Sequence, residues 1–299
     1  MPDRVMLLAI DGLDGGRVRA LVEAGRCPAL ARLLREGAYA DVAVTSCTPG
    51  LADPNRAMNS PTLWTTVATG QHYFQHGVHD FSNMLDSIEH PPLFESRHVQ
   101  SPRIWDVLSS RGLAGVVVGY YVTHPAYPIT GVMVSDLFGE TDEAGVVSPP
   151  ALLGELVGVL GADGYAAYRA RLGTLGAEQT MRDTPVPSSN DDAMSLTRDV
   201  LRRFADLTEQ QAASLLGDEG LKSVLRLLEH RLVYPYLRDD RMHRMFLHLV
   251  KSMDWRFAVC YYRIIDFVSH GFLGGAPGLP ADFRQPFNRT LDHAYECVD

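Results

Sequence analysis

Short apolar runs alternate with amphipathic segments in the first part of the chain. The run VMLLAI at residues 5–10 has no polar position, which is typical of a strand covered on both faces. In CPALARLLREG, residues 27–37, leucines recur at helical spacing and a glycine closes the segment, which predicts a helix. The same patterns predict further helices over residues 16–24, 60–70 and 101–112, and further strands over residues 38–44 and 113–119. This alternation predicts an α/β fold with a mainly parallel sheet flanked by helices.

The pattern becomes almost purely helical in the middle of the chain. Helical periodicity extends over residues 150–160, 192–216, 219–232 and 241–252. The strand pattern then returns in RFAVCYYRIID, residues 256–266. We therefore expect a sheet domain made of residues 1–139 and 255–299, with residues 140–254 inserted as a helical cap.

Charge and hydropathy exclude several kinds of partner. The formal net charge is −9, whereas binding to a nucleic-acid backbone requires a local excess of Lys and Arg. No stretch approaches the roughly 20 apolar residues of a membrane-spanning helix. The first apolar run is also too short for the core of a signal peptide. We expect a cytoplasmic protein that binds neither a membrane nor a nucleic acid.

Two polar residues stand where α/β folds gather ligands. Asp11 directly follows the first predicted strand, and ligands of open α/β sheets bind outside the carboxyl ends of strands. A carboxylate there can reach a metal ion, although Asp-Gly is also an ordinary turn sequence. Ser60 precedes Pro61 at a predicted helix start, which fits a simple helix cap. The same position also suits a nucleophilic hydroxyl beside an anion-binding helix N-terminus.

An acid and a base four positions apart close the returning strand segment. In YYRIIDFVSHGF, Asp266 and His270 share one face if a helix begins near Asp266. A carboxylate oxygen and an imidazole nitrogen suit zinc, manganese or iron, but a hydrogen-bonded pair fits the spacing equally well. The three histidines of GQHYFQHGVHD, at residues 70–80, are better explained by a structural loop with a turn at His76–Gly77.

Together these segments resemble the alkaline phosphatase superfamily, in particular its type I phosphodiesterase/nucleotide pyrophosphatase-like proteins. The resemblance covers about residues 1–140 and 255–299 and depends on five segments in a fixed order. They are LLAIDGLD, CPALARLLREGAYA, NSPTLWTTVATGQHYFQHGVHDF, SPRIWDVLSSRGLAGVVVGYYVTHPAYPITGVMVSDLF and YYRIIDFVSHGF. Each segment alone is a weak signal, whereas the ordered set is specific.

The resemblance implies a metal-dependent hydrolase of small phosphate esters, mono- or diesters. Asp11 would bind one of two divalent ions, zinc or manganese, and Ser60 would be the nucleophile that bridges toward it. Asp266 and His270 would bind the other ion. Two ions about 3.5–4 Å apart can clamp the attacking and leaving oxygens of a phosphoryl displacement. The intermediate would be a phosphoserine at Ser60, and hydrolysis of sulfate esters or phosphonates and phosphomutase activity are the nearest variants.

The chain departs from the family pattern in three places. Phe81 stands where the nucleotide pyrophosphatases carry a phosphate-binding Asn, and Ser60 replaces their usual Thr. The downstream SDHG-like ligand segment is missing after Asp266, and Asp292–His293, on a predicted helix, is a poor substitute.

The missing segment affects the expected organisation and function of the chain. We expect the N-terminal part of a longer protein, with an open sheet edge that a homo-oligomer could cover. The alternative function is a non-catalytic remnant that acts as a binding module.

Overall fold

The computed structural model describes residues 4–42, 59–83, 87, 92–140, 144–161, 191–274, 276 and 278–299. The chain divides into two compact units. The first comprises Met1–Ala9, Val42–Gly161 and Arg241–Tyr262, and the second comprises Ile10–Asp41, Ala162–Asp240 and Arg263–Asp299. The expected division into a core of residues 1–139 and 255–299 and a cap of residues 140–254 stays a prediction.

The described strands form one five-stranded sheet. The strands are β1 (Val5–Ile10), β2 (Gly115–Val118), β3 (Gly131–Val134), β4 (Val147–Ser148) and β5 (Phe257–Tyr262). Their order in the sheet is β1-β5-β2-β3-β4. β2 pairs in parallel with both β3 and β5. Of these strands, β4 is the one shown to run antiparallel, and it pairs with β3. The predicted α/β fold with a mainly parallel sheet is therefore confirmed.

The central strand β2 is buried on both faces, which explains its unbroken apolar sequence. Val116 and Val118 face one core cluster, which contains Phe246. Val117 faces the opposite cluster, which contains Trp105. Successive side chains of a strand point to opposite faces, so a strand between two helical layers needs apolar residues at every position.

The α-helices account for more than half of the described residues outside the sheet. They are α1 (Gly15–Glu23), α2 (Pro28–Glu36), α3 (Ser60–Thr69), α4 (Tyr73–His76), α5 (Ile104–Ser109), α6 (Leu153–Leu160), α7 (Asp191–Phe204), α8 (Glu209–Gly217), α9 (Lys222–Leu228), α10 (Tyr234–Ser252), α11 (Ile264–Phe272), α12 (Ala281–Arg284) and α13 (Thr290–Val298). A π-helix, Glu229–Val233, connects α9 to α10. None of the helices in these described ranges is long and apolar enough to cross a membrane.

Several predicted elements differ from the structure. The loop predicted over residues 70–80 contains the short helix α4, and the break predicted between residues 232 and 241 is helical. Residues 38–42 of the predicted strand 38–44 are not a strand, and residues 43 and 44 lie outside the described residues. Val42 is 85% exposed, so the alternating pattern there has no buried face to stabilise it. The single helix predicted over 192–216 is two helices, because Thr208 starts a new one by accepting a hydrogen bond from the Gln211 N–H at 3.2 Å.

β1 is an outer strand of the described sheet. Val5, Met6 and Leu8 are 57%, 46% and 49% exposed, respectively. Outer strands with apolar side chains are prone to pair with other strands. The homo-oligomer that would cover this edge stays a prediction.

Candidate functional site

Ser60 is the first residue of α3, and the residue before it caps the helix. Asn59 Oδ1 accepts a hydrogen bond from the Thr62 N–H at 3.1 Å and another from the Thr62 hydroxyl at 2.8 Å. No hydrogen bond to the Ser60 hydroxyl occurs within the described part of the chain. Asn59 caps α3, so the interpretation of Ser60 as an ordinary helix cap is wrong, and Ser60 is a partly exposed residue.

The start of α3 offers few backbone donors to an anion. Pro61 has no N–H, and Asn59 already accepts the N–H of Thr62. The Leu63 N–H donates to the Asn59 carbonyl oxygen at 3.1 Å. An anion beside Ser60 would therefore interact with the helix dipole and the Ser60 N–H, and it needs further cationic partners for strong binding.

Asp80 orients the capping residue. Its Oδ1 atom accepts hydrogen bonds from Asn59 Nδ2 at 2.9 Å and from the Phe81 N–H at 2.7 Å. The Phe81 side chain is 47% exposed and presents an apolar ring where the resemblance leads one to expect an amide. Sequence reasoning missed Asn59 and Asp80, although an Asn immediately before a Ser-Pro helix start is a recognisable cap signal.

The buried ring of His76 supports α3 from the following segment. Its Nδ1 atom accepts the Val78 N–H at 3.2 Å, so Nε2 carries the proton and donates to the Thr66 hydroxyl at 3.0 Å. Burial lowers the pKa of His76 to about 4, and electrostatic interactions with His72 and Arg103 contribute to the decrease. Among the described side chains, the ring of His76 therefore has a structural role. The sequence predicts such a structural role for these histidines.

His72 and His79 make local contacts on either side of the same segment. His72 Nδ1 accepts the Phe74 N–H at 3.4 Å at the start of α4, and His79 Nδ1 lies 3.3 Å from the Gly77 carbonyl oxygen. Gly77 ends α4 with a φ of 84°, which forms the predicted turn after His76.

In the second unit, the backbone after β1 lies directly against the first turn of α11. Gly12 has a φ of 74°, and a Cβ atom there would lie 2.7 Å from the Asp266 Cα and 2.8 Å from its N. Only glycine tolerates both conditions. This close approach brings Asp11 and Asp266, two of the predicted ligands, near each other. Burial raises the pKa of Asp266, and the negative charge of Asp11 raises it further.

Asp266 and His270 lie on the same face of α11, as their spacing predicts. The His270 Nε2 and Asp266 Oδ1 atoms are 3.6 Å apart, which is longer than a normal hydrogen bond. The His270 side chain is 63% exposed and the Asp266 side chain 28% exposed. Both groups can therefore turn toward a shared ligand.

A distant carboxylate fixes the start of α11. Asp239 Oδ2, on α10, accepts the N–H groups of Arg263 and Ile264, each at 2.8 Å. Asp239 Oδ1 also accepts from Arg238 Nη1 at 3.1 Å, and the Asp239 carboxyl is almost fully buried. Sequence reasoning missed Asp239, because nothing in its helical context indicates a contact 24 residues away.

The donor chemistry of the second unit suits a divalent cation, but the described residues do not form a closed ligand set. Two carboxylates and an imidazole are appropriate ligands for zinc or manganese. In the described ranges, no three His, Cys, Asp or Glu side chains are grouped so that they could hold a metal ion. Asp292 cannot easily complete the set, because it accepts a hydrogen bond from Arg26 Nη1 at 2.7 Å. Ser60, the remaining predicted ligand, belongs to the first unit and not to the second.

Comparisons with known proteins place these observations in a family. Two structures of phosphonoacetate hydrolase from Sinorhizobium meliloti 1021, bound to phosphonoformate and to phosphonoacetate, are similar to the chain at 18% identity. Their TM-scores are 0.41 and 0.39, and each match covers 97% of this chain and 52% of the hydrolase, so the chain spans about half of that protein's length. No curated protein compared with the chain matches it. The model of the family "Type I phosphodiesterase / nucleotide pyrophosphatase" matches residues 5–299, and the chain belongs to that family.

Proposed function

We propose that the chain hydrolyses phosphate esters with Ser60 as the nucleophile and with Asp11, Asp266 and His270 as ligands of two divalent metal ions. Membership of the type I phosphodiesterase/nucleotide pyrophosphatase family supports phosphoester hydrolysis as the reaction class. The observation that carries the proposal concerns the hydroxyl of Ser60 and the residue that caps α3. Asn59 caps α3 in its place, and the Ser60 hydroxyl, at the helix N-terminus, makes no hydrogen bond to any residue that the structure describes.

In the proposed reaction, Ser60 Oγ forms a bond to phosphorus while the ester oxygen leaves. Water then breaks the phosphoserine bond and restores the hydroxyl. The positive end of the α3 dipole favours the negative charge of the phosphoryl group beside Ser60. Asp80 and Asn59 hold the first turn of α3, so that the serine is presented from a fixed backbone. The substrate is a small phosphate mono- or diester, and sulfate esters and phosphonates are the closest alternatives because they contain a similar tetrahedral anion.

The carboxylates of the second unit support the metal part of the proposal. Asp11 would bind one ion, toward which Ser60 bridges, and Asp266 and His270 would bind the other. Burial and the charge of Asp11 both raise the pKa of Asp266, so a bound cation would favour the ionised form of the Asp266 carboxyl. Zinc or manganese at these ligands would neutralise charge on the phosphoryl oxygens and so lower the barrier to displacement.

The replacement Ser60→Ala tests the proposal, with Ser110→Ala as its control. Ser110 is an exposed serine whose hydroxyl donates to the Val107 carbonyl oxygen of its own helix, so its loss should change nothing. We expect Ser60→Ala to lower kcat for a chromogenic aryl phosphodiester or monoester by at least about 1,000-fold. Metal content, measured by elemental mass spectrometry, should remain near that of the wild type, since three of the proposed ligands are retained.

Two outcomes would contradict the proposal. Unchanged turnover in Ser60→Ala would show that another group attacks the phosphorus. A metal-loaded wild-type chain that hydrolyses none of the ester classes would favour the alternative function, a non-catalytic binding module.

A further inference from the structure

A π-helix changes the course of the chain beside α11. In Glu229–Val233 the backbone widens, and the Tyr234 N–H donates to the Glu229 carbonyl oxygen, five residues earlier. Pro235 accounts for this irregularity, because it has no N–H and its ring would collide with the Arg231 carbonyl in a regular α-helix. Such π-segments are rare in proteins, and those that occur are often found at functional sites. The residue at the centre of this segment is Arg231.

The π-helix packs directly on the helix that carries two of the proposed ligands. A Cβ atom on Gly271 would lie 3.2 Å from both Cβ and Cγ of Arg231. One turn earlier on α11, the Phe267 ring lies 6.0 Å from the His230 ring. Gly271 follows His270 directly, so its missing side chain makes room for the Arg231 stem immediately beside the proposed ligand face.

The charged end of Arg231 is the next feature of this packing. Within the described part of the chain, its guanidinium makes no hydrogen bond and no ion pair. Its positive charge nevertheless acts on Asp266 and opposes the effects that raise the pKa of that carboxyl. An arginine whose role was only to neutralise Asp266 would form a salt bridge with it, which Arg231 does not do.

We propose that Arg231 binds an oxyanion of the substrate beside Asp266 and His270. The proposal rests on the proposed function, since it names a binding residue for the same site. A guanidinium presents paired N–H donors whose geometry matches two oxygens of a phosphoryl or phosphonyl group. Arg231 belongs to the segment expected to form the helical cap, so this contact assigns to that segment a part in substrate binding.

The test uses Arg231→Ala and a control that removes the same charge elsewhere in the same unit. Arg202 is a half-exposed arginine on α7 that pairs with Glu209 on the surface, so Arg202→Ala matches the change in net charge. Binding of inorganic phosphate to the metal-loaded chain is measured by calorimetry, and KM and kcat are measured for the phosphodiester. We expect Arg231→Ala to weaken phosphate binding and to raise KM about 10- to 100-fold, as the loss of a charge-assisted hydrogen bond predicts.

A second variant tests position rather than charge. Gly271→Ala keeps Arg231 but pushes its stem by a few tenths of an ångström, and we expect a smaller loss of phosphate affinity with unchanged melting temperature and metal content. Phosphate binding in Arg231→Ala within twofold of the wild type would overturn the inference, as would a wild-type chain that binds no phosphate. A loss in Arg231→Ala while Ser60→Ala keeps full turnover would instead retain the anion site and reject the nucleophile.

Discussion

The helix α3, in the first unit, and the helix α11, in the second, each carry a proposed site residue in the first turn. Both are capped by a side chain outside the helix, but from very different distances. Asn59 caps α3 from the adjacent position and is partly exposed. Asp239 caps α11 from another helix, 24 residues away, and is buried. In both helices, the proposed site residue of the first turn, Ser60 or Asp266, is not the residue that caps the helix. A local cap can be recognised in the sequence, whereas a cap supplied by a remote buried carboxylate cannot.

Removing each cap should give the largest contrast between the two helices. Asp239→Ala leaves two buried N–H groups and Arg238 without their acceptor, and we expect a loss of about 3–5 kcal/mol in the free energy of unfolding. Asn59→Ala should cost about 1 kcal/mol. Chemical denaturation of both variants measures the difference. Equal losses would show that burial of Asp239 adds nothing to its capping role.

The pH dependence of stability should test the buried ring of His76, which supports α3. The pKa of His76 is lowered to about 4 in the folded chain. As the pH falls below about 6.5, the unfolded chain therefore binds a proton at His76 that the folded chain does not bind. Stability should decrease between about pH 6.5 and pH 4, by at most about 3 kcal/mol. His76→Gln should remove this component, and an unchanged pH profile in that variant would contradict the buried neutral ring.

The close approach of Gly12 to the start of α11 should have a smaller and more local effect on stability. Gly12→Ala introduces a Cβ atom against the Asp266 backbone, whereas Gly25→Ala, with a φ of 71°, meets nothing within 4 Å. Both replacements strain a left-handed residue, so their difference isolates the steric contact. We expect Gly12→Ala to be less stable than Gly25→Ala by about 1–3 kcal/mol, in thermal or chemical unfolding. Equal stability would mean that Asp11 and Asp266 are not held together by this contact.

The sequence allows prediction of those features that depend on neighbours along the chain. The helix that begins after β5 and places Asp266 and His270 on one face follows from a change of apolar period and a spacing of four. The position of Asp11 after β1 follows from the short apolar run. Asn59 could have been identified in the same way, because its cap depends only on the next three residues.

The remaining features depend on contacts between distant segments or on small backbone irregularities. Asp239 and Gly12 acquire their roles only when α11 is placed against them. The π-helix at residues 229–233 adds one residue to a helical turn. This addition hardly changes the spacing of apolar residues from which a helix is predicted. The strand predicted over residues 38–44 failed in its described part because alternation alone does not show whether one face will be buried.

A search for a phosphoserine at Ser60 distinguishes the proposed mechanism from its alternatives in a single experiment. The metal-loaded chain is mixed with a phosphodiester, quenched in acid during turnover, and digested for peptide mass spectrometry. Our account predicts a phosphoryl group on the peptide that contains Ser60, and its loss in Ser60→Ala but not in Ser110→Ala. Steady turnover with no phosphoryl group on Ser60, or with one on a different residue, would contradict it.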